Sequence, residues 1–191
     1  MPRRITGGVC YGKKVLVIST SLRANSNSEL LANAFAAGAQ ETGHEVEQVT
    51  LRDKSLAFCK GCMACQKLGR CVIDDDANAI TAKMEKADAI AFATPIYYYE
   101  MSGQMKTLLD RANWLYSSDY AFRDIYCLTA AAEDEAGVDE GAVHGLKGWI
   151  ACFEHARLAG TVFAGGVESP GEAAGHAAVQ QAHAMGAAIR A

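Results

Sequence analysis

The sequence predicts an α/β fold, a parallel sheet with helices packed on both of its faces. Three observations predict it. Short apolar or alternating runs recur along the chain, and most are followed by a longer stretch with apolar residues three and four apart. This alternation runs through the chain without internal repeats or linkers, which is the pattern of successive βα units. The chain has 191 residues, half of them hydrophobic, enough for one domain with a sizeable core.

The elements follow in order. Val15–Ile18 is apolar and β-branched, typical of a buried parallel strand. A polar stretch, Ser19–Ser28, separates it from a helix running from about Ser28 to Thr42, with Gly43 as a C-cap. Val46–Leu51 alternates and reads as the second strand, and Ser55–Asp76 as a cysteine-rich loop. Ala77–Lys86 is helical, with Ile80 and Met84 on one face. Asp88–Ala93 is a third, buried strand that ends at Thr94-Pro95, because proline cannot continue a central strand. Tyr97–Glu100 reads as a loop, and a helix from Ser102 to about Leu115 turns Met105, Leu108, Leu109 and Ala112 inward. Ile125–Ala130 is the fourth strand, Ala131–Glu140 a polar loop, Gly145–Ala156 a helix and Leu158–Ala164 the fifth strand. Gly165–Gly171 is a Gly/Pro loop before a last helix, Glu172–Arg190. Five strands suggest a flavodoxin-like three-layer sandwich with order 2-1-3-4-5, whose ligand crevice lies beyond the C-terminal ends of strands 1 and 3. The expected organisation is a loose extension over residues 1–13 and a single domain over 14–191.

Composition excludes several classes. A net charge of −4 gives no electrostatic case for a nucleic-acid partner or an anionic membrane surface. No apolar run approaches the roughly 18 residues needed to span a bilayer. Arg3 and Arg4 have no apolar segment behind them, so the N-terminus does not read as a signal peptide. Seven cysteines without a secretion signal point to a reducing, cytoplasmic setting and to thiol or metal chemistry rather than a disulfide framework.

The stretch Ser19–Ser28 carries the first chemical signal. A strand, a hydroxyl-rich loop and a helix N-terminus make an anion site: hydroxyls and backbone N–H groups donate, and the helix start adds its positive dipole end. No Gly-rich dinucleotide fingerprint and no Walker lysine are present. Side-chain donors suit a phosphomonoester better than a pyrophosphate. The alternative is that Ser26 or Ser28 is an ordinary N-cap. The topology brings this loop beside Thr94–Tyr99, where Pro95, Ile96 and three tyrosines suit a flat aromatic ligand, with Ala130–Asp134 next to both. A phosphate site against an apolar, aromatic wall fits FMN.

These residues resemble the NAD(P)H-dependent FMN oxidoreductases of flavodoxin-like fold, and especially their iron–sulfur flavoprotein branch. The resemblance is carried by Ser21-Leu22-Arg23 with Ser26-Asn27-Ser28, by Thr94-Pro95-Ile96-Tyr97-Tyr98, by Met101–Lys106 ending at Asp110-Arg111, and by Pro170-Gly171. It implies that Ser21, Arg23, Ser26, Asn27 and Ser28 hold the FMN phosphate. It also implies that Thr94, Pro95, Ile96, Tyr97 and Tyr98 form the loop along the flavin ring. NADH or NADPH would be the co-substrate and a quinone, flavin, disulfide or other small molecule the acceptor. Dimers, often paired into tetramers, are implied as well. Thr20 departs from the family, where glycine is usual, and this bears on the tightness of that turn.

Cys59, Cys62, Cys65 and Cys71 have the spacing Cys-x2-Cys-x2-Cys-x5-Cys. Four thiolates this close can wrap a [4Fe-4S] cluster, and the spacing resembles that of iron–sulfur flavoproteins. Free thiols or a disulfide are the rival reading, and zinc a third. With a cluster, the chain would relay single electrons from a ferredoxin-like donor. Cys10, Cys127 and Cys152 stand alone, and the last two read as small core residues. No histidine shows metal or nucleophile–base spacing, as expected where a flavin does the redox step. Glu133-Asp134-Glu135 reads as a solvated loop.

Overall fold

In a computed structural model, which describes residues 12–190, five parallel strands form the sheet. They are β1 (Lys14–Ser19), β2 (Glu45–Thr50), β3 (Ala89–Tyr97), β5 (Asp124–Ala130) and β6 (Arg157–Ala164), in the order β2-β1-β3-β5-β6. A two-residue strand, β4 (Glu100–Met101), pairs antiparallel with the end of β3 and makes a sixth. The expected order holds once β4 is counted apart. Residues 1–11 of the expected extension, with Cys10, lie outside the described residues. Lys13 is bound into the sheet edge: its N–H donates to His44 Nδ1 at 3.0 Å, and its carbonyl accepts from Glu45 N.

Side chains alternate across the strands and divide the core in two. Val15 and Val17 of β1 face α1 (Asn27–Glu41) and α6 (Ala177–Ala187), around Leu31 and Phe35. Leu16 and Ile18 face the other layer, built from α3 (Asp76–Lys86), α4 (Gly103–Arg111) and α5 (Glu140–Ile150) around Phe92, Met105 and Phe122. Burying a Phe or Leu of this kind contributes about 1.5–3 kcal/mol. A short helix, α2 (Cys65–Leu68), interrupts the cysteine-rich loop.

Several boundaries differ from expectation. β3 runs through Pro95 to Tyr97. The Ala93 carbonyl bonds Thr20 N, so Pro95, two residues on, turns its missing N–H to the same side, where β1 has already ended at Ser19. Tyr97–Glu100 is not an open loop. Tyr98 and Tyr99 both have positive φ (51° and 65°) and form a tight hairpin into β4. The fifth helix begins at Glu140 rather than Gly145 and ends at Ile150. Gly141 permits this, since a Cβ there would lie 2.3 Å from the Tyr99 carbonyl oxygen. The helix thus lies directly against the hairpin. The last helix is likewise split, into a 3-10 turn (Glu172–Gly175) and α6.

Candidate functional site

The ends of β1, β3, β5 and β6 open on one cleft of about 200 Å³. Its floor is the N-terminus of α1. Ser26 is the N-cap, with its Oγ accepting from Glu29 N at 3.2 Å and lying 3.4 Å from Ser28 Oγ. One of these two hydroxyls can donate to the other, which leaves one proton for a bound anion. Ser21 Oγ accepts from Arg23 N at 3.2 Å, and so keeps its own proton to give. The N–H groups of Asn27 and Ser28, in the first turn, need no intrahelical partner and add to the anion-binding end. Ser21, Ser26, Asn27 and Ser28 are all buried. Arg23 is exposed and donates to the Glu168 carbonyl at 3.2 Å, which sets its charge on the cleft rim.

Asn27 has a second role. Its Nδ2 donates to the carbonyls of Val167 (3.2 Å) and Ser169 (3.0 Å), while its Oδ1 accepts from Ala173 N (3.0 Å). Its side chain is spent on fastening the segment after β6, which closes one side of the cleft. Glu172 stiffens the same segment by accepting from the N–H groups of Glu168 and Ser169, which hold its carboxyl below the usual range.

The other wall is Pro95, Ile96 and Tyr97, half-buried to exposed, with Ala130–Glu133 beside it. Thr94 lies beneath this wall, fully buried; its Oγ1 donates to the Pro95 carbonyl and accepts from Ser102 N. Ser102 Oγ meets Thr20 Oγ1 at 3.0 Å, and Thr20 also donates to the Ala93 carbonyl. Thr20, the departure noted from the sequence, needs no positive φ and bolts β1 to β3. Thr94 therefore supports the wall rather than lining it. Tyr98, wholly exposed at the hairpin tip, also stays outside the cleft. The sequence reading missed Val167 and Glu168, which bear no motif and arrive only through the Asn27 bridge. Glu133 of the acidic cluster does line the cleft.

The cysteine-rich loop forms a second cavity of about 440 Å³, lined by Cys59, Cys62, Cys65 and Cys71. Cys65 and Cys71 are buried and accept N–H···S bonds, from Asn113 Nδ2 (3.4 Å) and Arg111 Nε (3.2 Å). Cys59 and Cys62 are exposed. Among the described residues no three His, Cys, Asp or Glu side chains converge closely enough to hold a metal ion. Four thiols line this one cavity, a donor set of the kind a soft metal centre takes, but as placed they do not converge on a common point. Arg111 is 1% exposed. It pairs with Asp75 through Nη1–Oδ2 (2.7 Å) and Nη2–Oδ1 (2.8 Å), and donates to the carbonyls of Ala57 and Ile73. The Asp75 hydrogen bond outweighs burial and raises the already high pKa of Arg111. Burial lifts the Asp75 carboxyl, but hydrogen bonds from Arg111, Ala57 N and Ala77 N, with the Arg111 charge, bring it below its ordinary value. Cys152, expected in the core, is exposed on this cavity's wall. Cys127 is fully buried, and burial pushes its thiol up to about 12.

A parallel sheet in this order, with a cleft at the crevice between β1 and β3, defines a flavodoxin-like α/β protein. Solved structures agree on the fold. An NAD(P)H:quinone oxidoreductase from Methanothermobacter marburgensis superposes with a TM-score of 0.70 at 17% identity, covering 94% of this chain and 100% of that one. A flavodoxin, WrbA-like protein from Agrobacterium tumefaciens gives 0.61 at 18%, covering 92% and 94%. Residues 13–144 match the family described as NADPH-dependent FMN reductase, and the chain belongs to that family. Among curated relatives, an iron–sulfur flavoprotein of Methanosarcina thermophila is 32% identical over 138 residues, 72% of each chain. One of Methanocaldococcus jannaschii is 40% identical over 99 residues, 52% of this chain and 51% of that protein. The match thus spans about half the length of that second relative.

Proposed function

We propose that this chain is an FMN-dependent oxidoreductase that takes electrons from NADH or NADPH and passes them to a small acceptor such as a quinone or a flavin. The observation that carries this reading is the meeting of the α1 N-terminus and the Ser21, Ser26 and Ser28 hydroxyls with the Pro95–Tyr97 wall in one cleft. The donor set fits a phosphomonoester: hydroxyl protons and helix N–H groups are free, with Arg23 on the rim. Bound FMN would supply a ring that accepts a hydride and releases electrons singly or in pairs. Ser21, Ser26, Ser28 and Arg23 would fix its phosphate, Pro95, Ile96 and Tyr97 would orient and shield one part of the ring, and Thr20, Thr94 and Ser102 would keep that wall in place. Heat release and chromatography test the cofactor, with FMN expected; recovery of FAD, or of no flavin after reconstitution, would sink the reading. Anaerobic reduction by NADH and by NADPH, followed by absorbance, ranks the two donors.

A second reading is favoured by the cavity that all four clustered cysteines share. In it Cys59, Cys62, Cys65 and Cys71 would hold a [4Fe-4S] cluster, which would supply one-electron transfer, with a ferredoxin-like protein as donor. Two relatives named iron–sulfur flavoprotein support it. Iron and acid-labile sulfide, assayed after anaerobic purification, decide the point. Fewer than about one iron per chain, where a cubane brings four, would leave a plain FMN oxidoreductase. Assembly as a homodimer or homotetramer is part of the proposal, supported by the exposed Tyr98 and Tyr99 at the hairpin tip. A cytoplasmic setting is proposed too: the six described cysteines are unpaired, as a reducing compartment keeps them. No described helix is long and apolar enough to cross a membrane. No nucleic-acid partner is proposed.

A further inference from the structure

We propose that Thr20 is a positioning residue for the cofactor cleft: its hydroxyl fixes the spacing between the phosphate loop and the ring wall. This rests on the FMN reading above. The β1–β3 ladder has its last pair at Ser19 and Ala93. Beyond that pair the two chains diverge, one to Ser21 and the other to Pro95, and both of these residues line the cleft. Thr20 joins the two branches. Its N–H (2.9 Å) and its Oγ1–H (3.1 Å) both donate to the Ala93 carbonyl.

Every proton of this network has one place, since a hydroxyl has a single proton to give. Thr20 spends its own on Ala93, so at the 3.0 Å contact Ser102 Oγ–H is the donor and Thr20 Oγ1 the acceptor. Ser102 Oγ accepts in turn from Met105 N at 3.3 Å, as the N-cap of α4, and Ser102 N–H donates to Thr94 Oγ1 at 3.0 Å. Thr94 gives its proton to the Pro95 carbonyl. Thr20, Ser102 and Thr94 are each 0% exposed, so bulk water does not compete for these bonds. None of the three lines the cleft. They act through Ser21 and Pro95, which follow Thr20 and Thr94 in the chain.

A ligand held at one wall meets the second at high effective concentration only where the spacing of the two is fixed. FMN would span both, its phosphate at Ser21, Ser26 and Ser28 and its ring at Pro95–Tyr97. Inorganic phosphate reaches the first alone. Loss of the Thr20 hydroxyl should therefore penalise FMN and spare phosphate.

The test uses the full chain freed of flavin, titrated with FMN and, by competition, with inorganic phosphate. Thr20→Val keeps the β-branched shape and loses the hydroxyl. It should raise the FMN dissociation constant about tenfold, the scale of one buried hydrogen bond, and alter the visible circular dichroism of bound FMN. The phosphate constant should stay as in the wild type, and Thr20→Ser should restore FMN affinity and spectrum. Thr81→Val removes a buried hydroxyl on α3 that accepts from Trp114 Nε1, and should leave the FMN constant unaltered.

A Thr20→Val protein with the wild-type FMN constant overturns the proposal. So does an equal loss for FMN and phosphate, which would mark a damaged loop rather than a lost tether. Wild-type protein that binds no FMN overturns the FMN reading as well. If Thr20→Val does not fold, Thr20→Ala, which lacks the same hydroxyl, is judged by the same outcomes. Failure of both to fold would make the hydroxyl purely structural and end the proposal.

Discussion

Asn27 Oδ1 accepts a hydrogen bond from the backbone N–H of Ala173 at 3.0 Å, joining residues 146 apart in sequence. The bond runs from the first turn of α1 to the 3-10 turn after β6, and with two further bonds from Nδ2 it closes the cleft. Asn27→Ala leaves a buried N–H unpaired and should cost about 1–3 kcal/mol of stability. It should also weaken FMN binding, because Val167 and Glu168 lose their tether. Denaturant unfolding and FMN titration check both, and an unchanged affinity would show that the tether is irrelevant to the cleft.

Asp75 should make stability depend on acid pH. Its folded pKa lies below the unfolded one, because the Arg111, Ala57 and Ala77 bonds overcome the opposing effect of burial. Its contribution is therefore complete above the unfolded value and is lost as pH falls through the lower, folded value. Asp75→Asn strands the buried Arg111 charge and should cost about 3–5 kcal/mol near neutral pH. The gap between the variant and the wild type should narrow on acidification. A gap of constant size from neutral pH to pH 3 would contradict the ion-pair account.

The cysteines should sort by reactivity in native protein without iron. Cys127 is fully buried, and its thiol is pushed up to about 12 by burial and then by the Asp139 charge, so it is neutral and screened. Cys59, Cys62 and Cys152 are exposed. Alkylation followed by peptide mapping should label those three first and Cys127 only after denaturation. Early labelling of Cys127 would mean that the sheet opens locally around β5.

Gly141→Ala should destabilise, against its intrinsic helix preference of about 1 kcal/mol. The new Cβ would meet the Tyr99 carbonyl oxygen at 2.3 Å, and the obstacle is backbone. Relief requires α5 to withdraw or the Tyr98–Tyr99 hairpin to tilt, which would move Tyr97 in the cleft wall. Thermal melting should show a loss of stability, and the flavin spectrum a shift; a stabilised variant would refute the contact.

Much of the architecture was legible because it is written in local periodicity. β-branched runs and three-four spacing locate β1, α1, α3 and β5 within a residue or two, and alternation along the chain dictates a parallel sheet. The start of α1 was equally readable, since Ser26 stands just before the helix and caps it. What escaped were the features set by distant partners. α5 begins early because Gly141 fits under Tyr99, although glycine disfavours helix on its own. β3 continues through Pro95 because β1 has stopped beside it, and proline in isolation reads as a terminator. Thr94 and Tyr98 belong to the right loop, but packing sends one beneath the wall and the other into solvent. Asn27 looked like one more phosphate donor until its partners arrived from residues 167–173. Arg111 carried a motif and no visible task. A guanidinium can sit at 1% exposure only where carboxylate, carbonyls and sulfur surround it, and those groups come from 36 to 54 residues away. The sequence by itself determined where the five parallel strands and most of the helices lie, through short-range patterning, whereas burial of charge and closure of the two cavities depend on long-range contacts that exist only once the chain has folded.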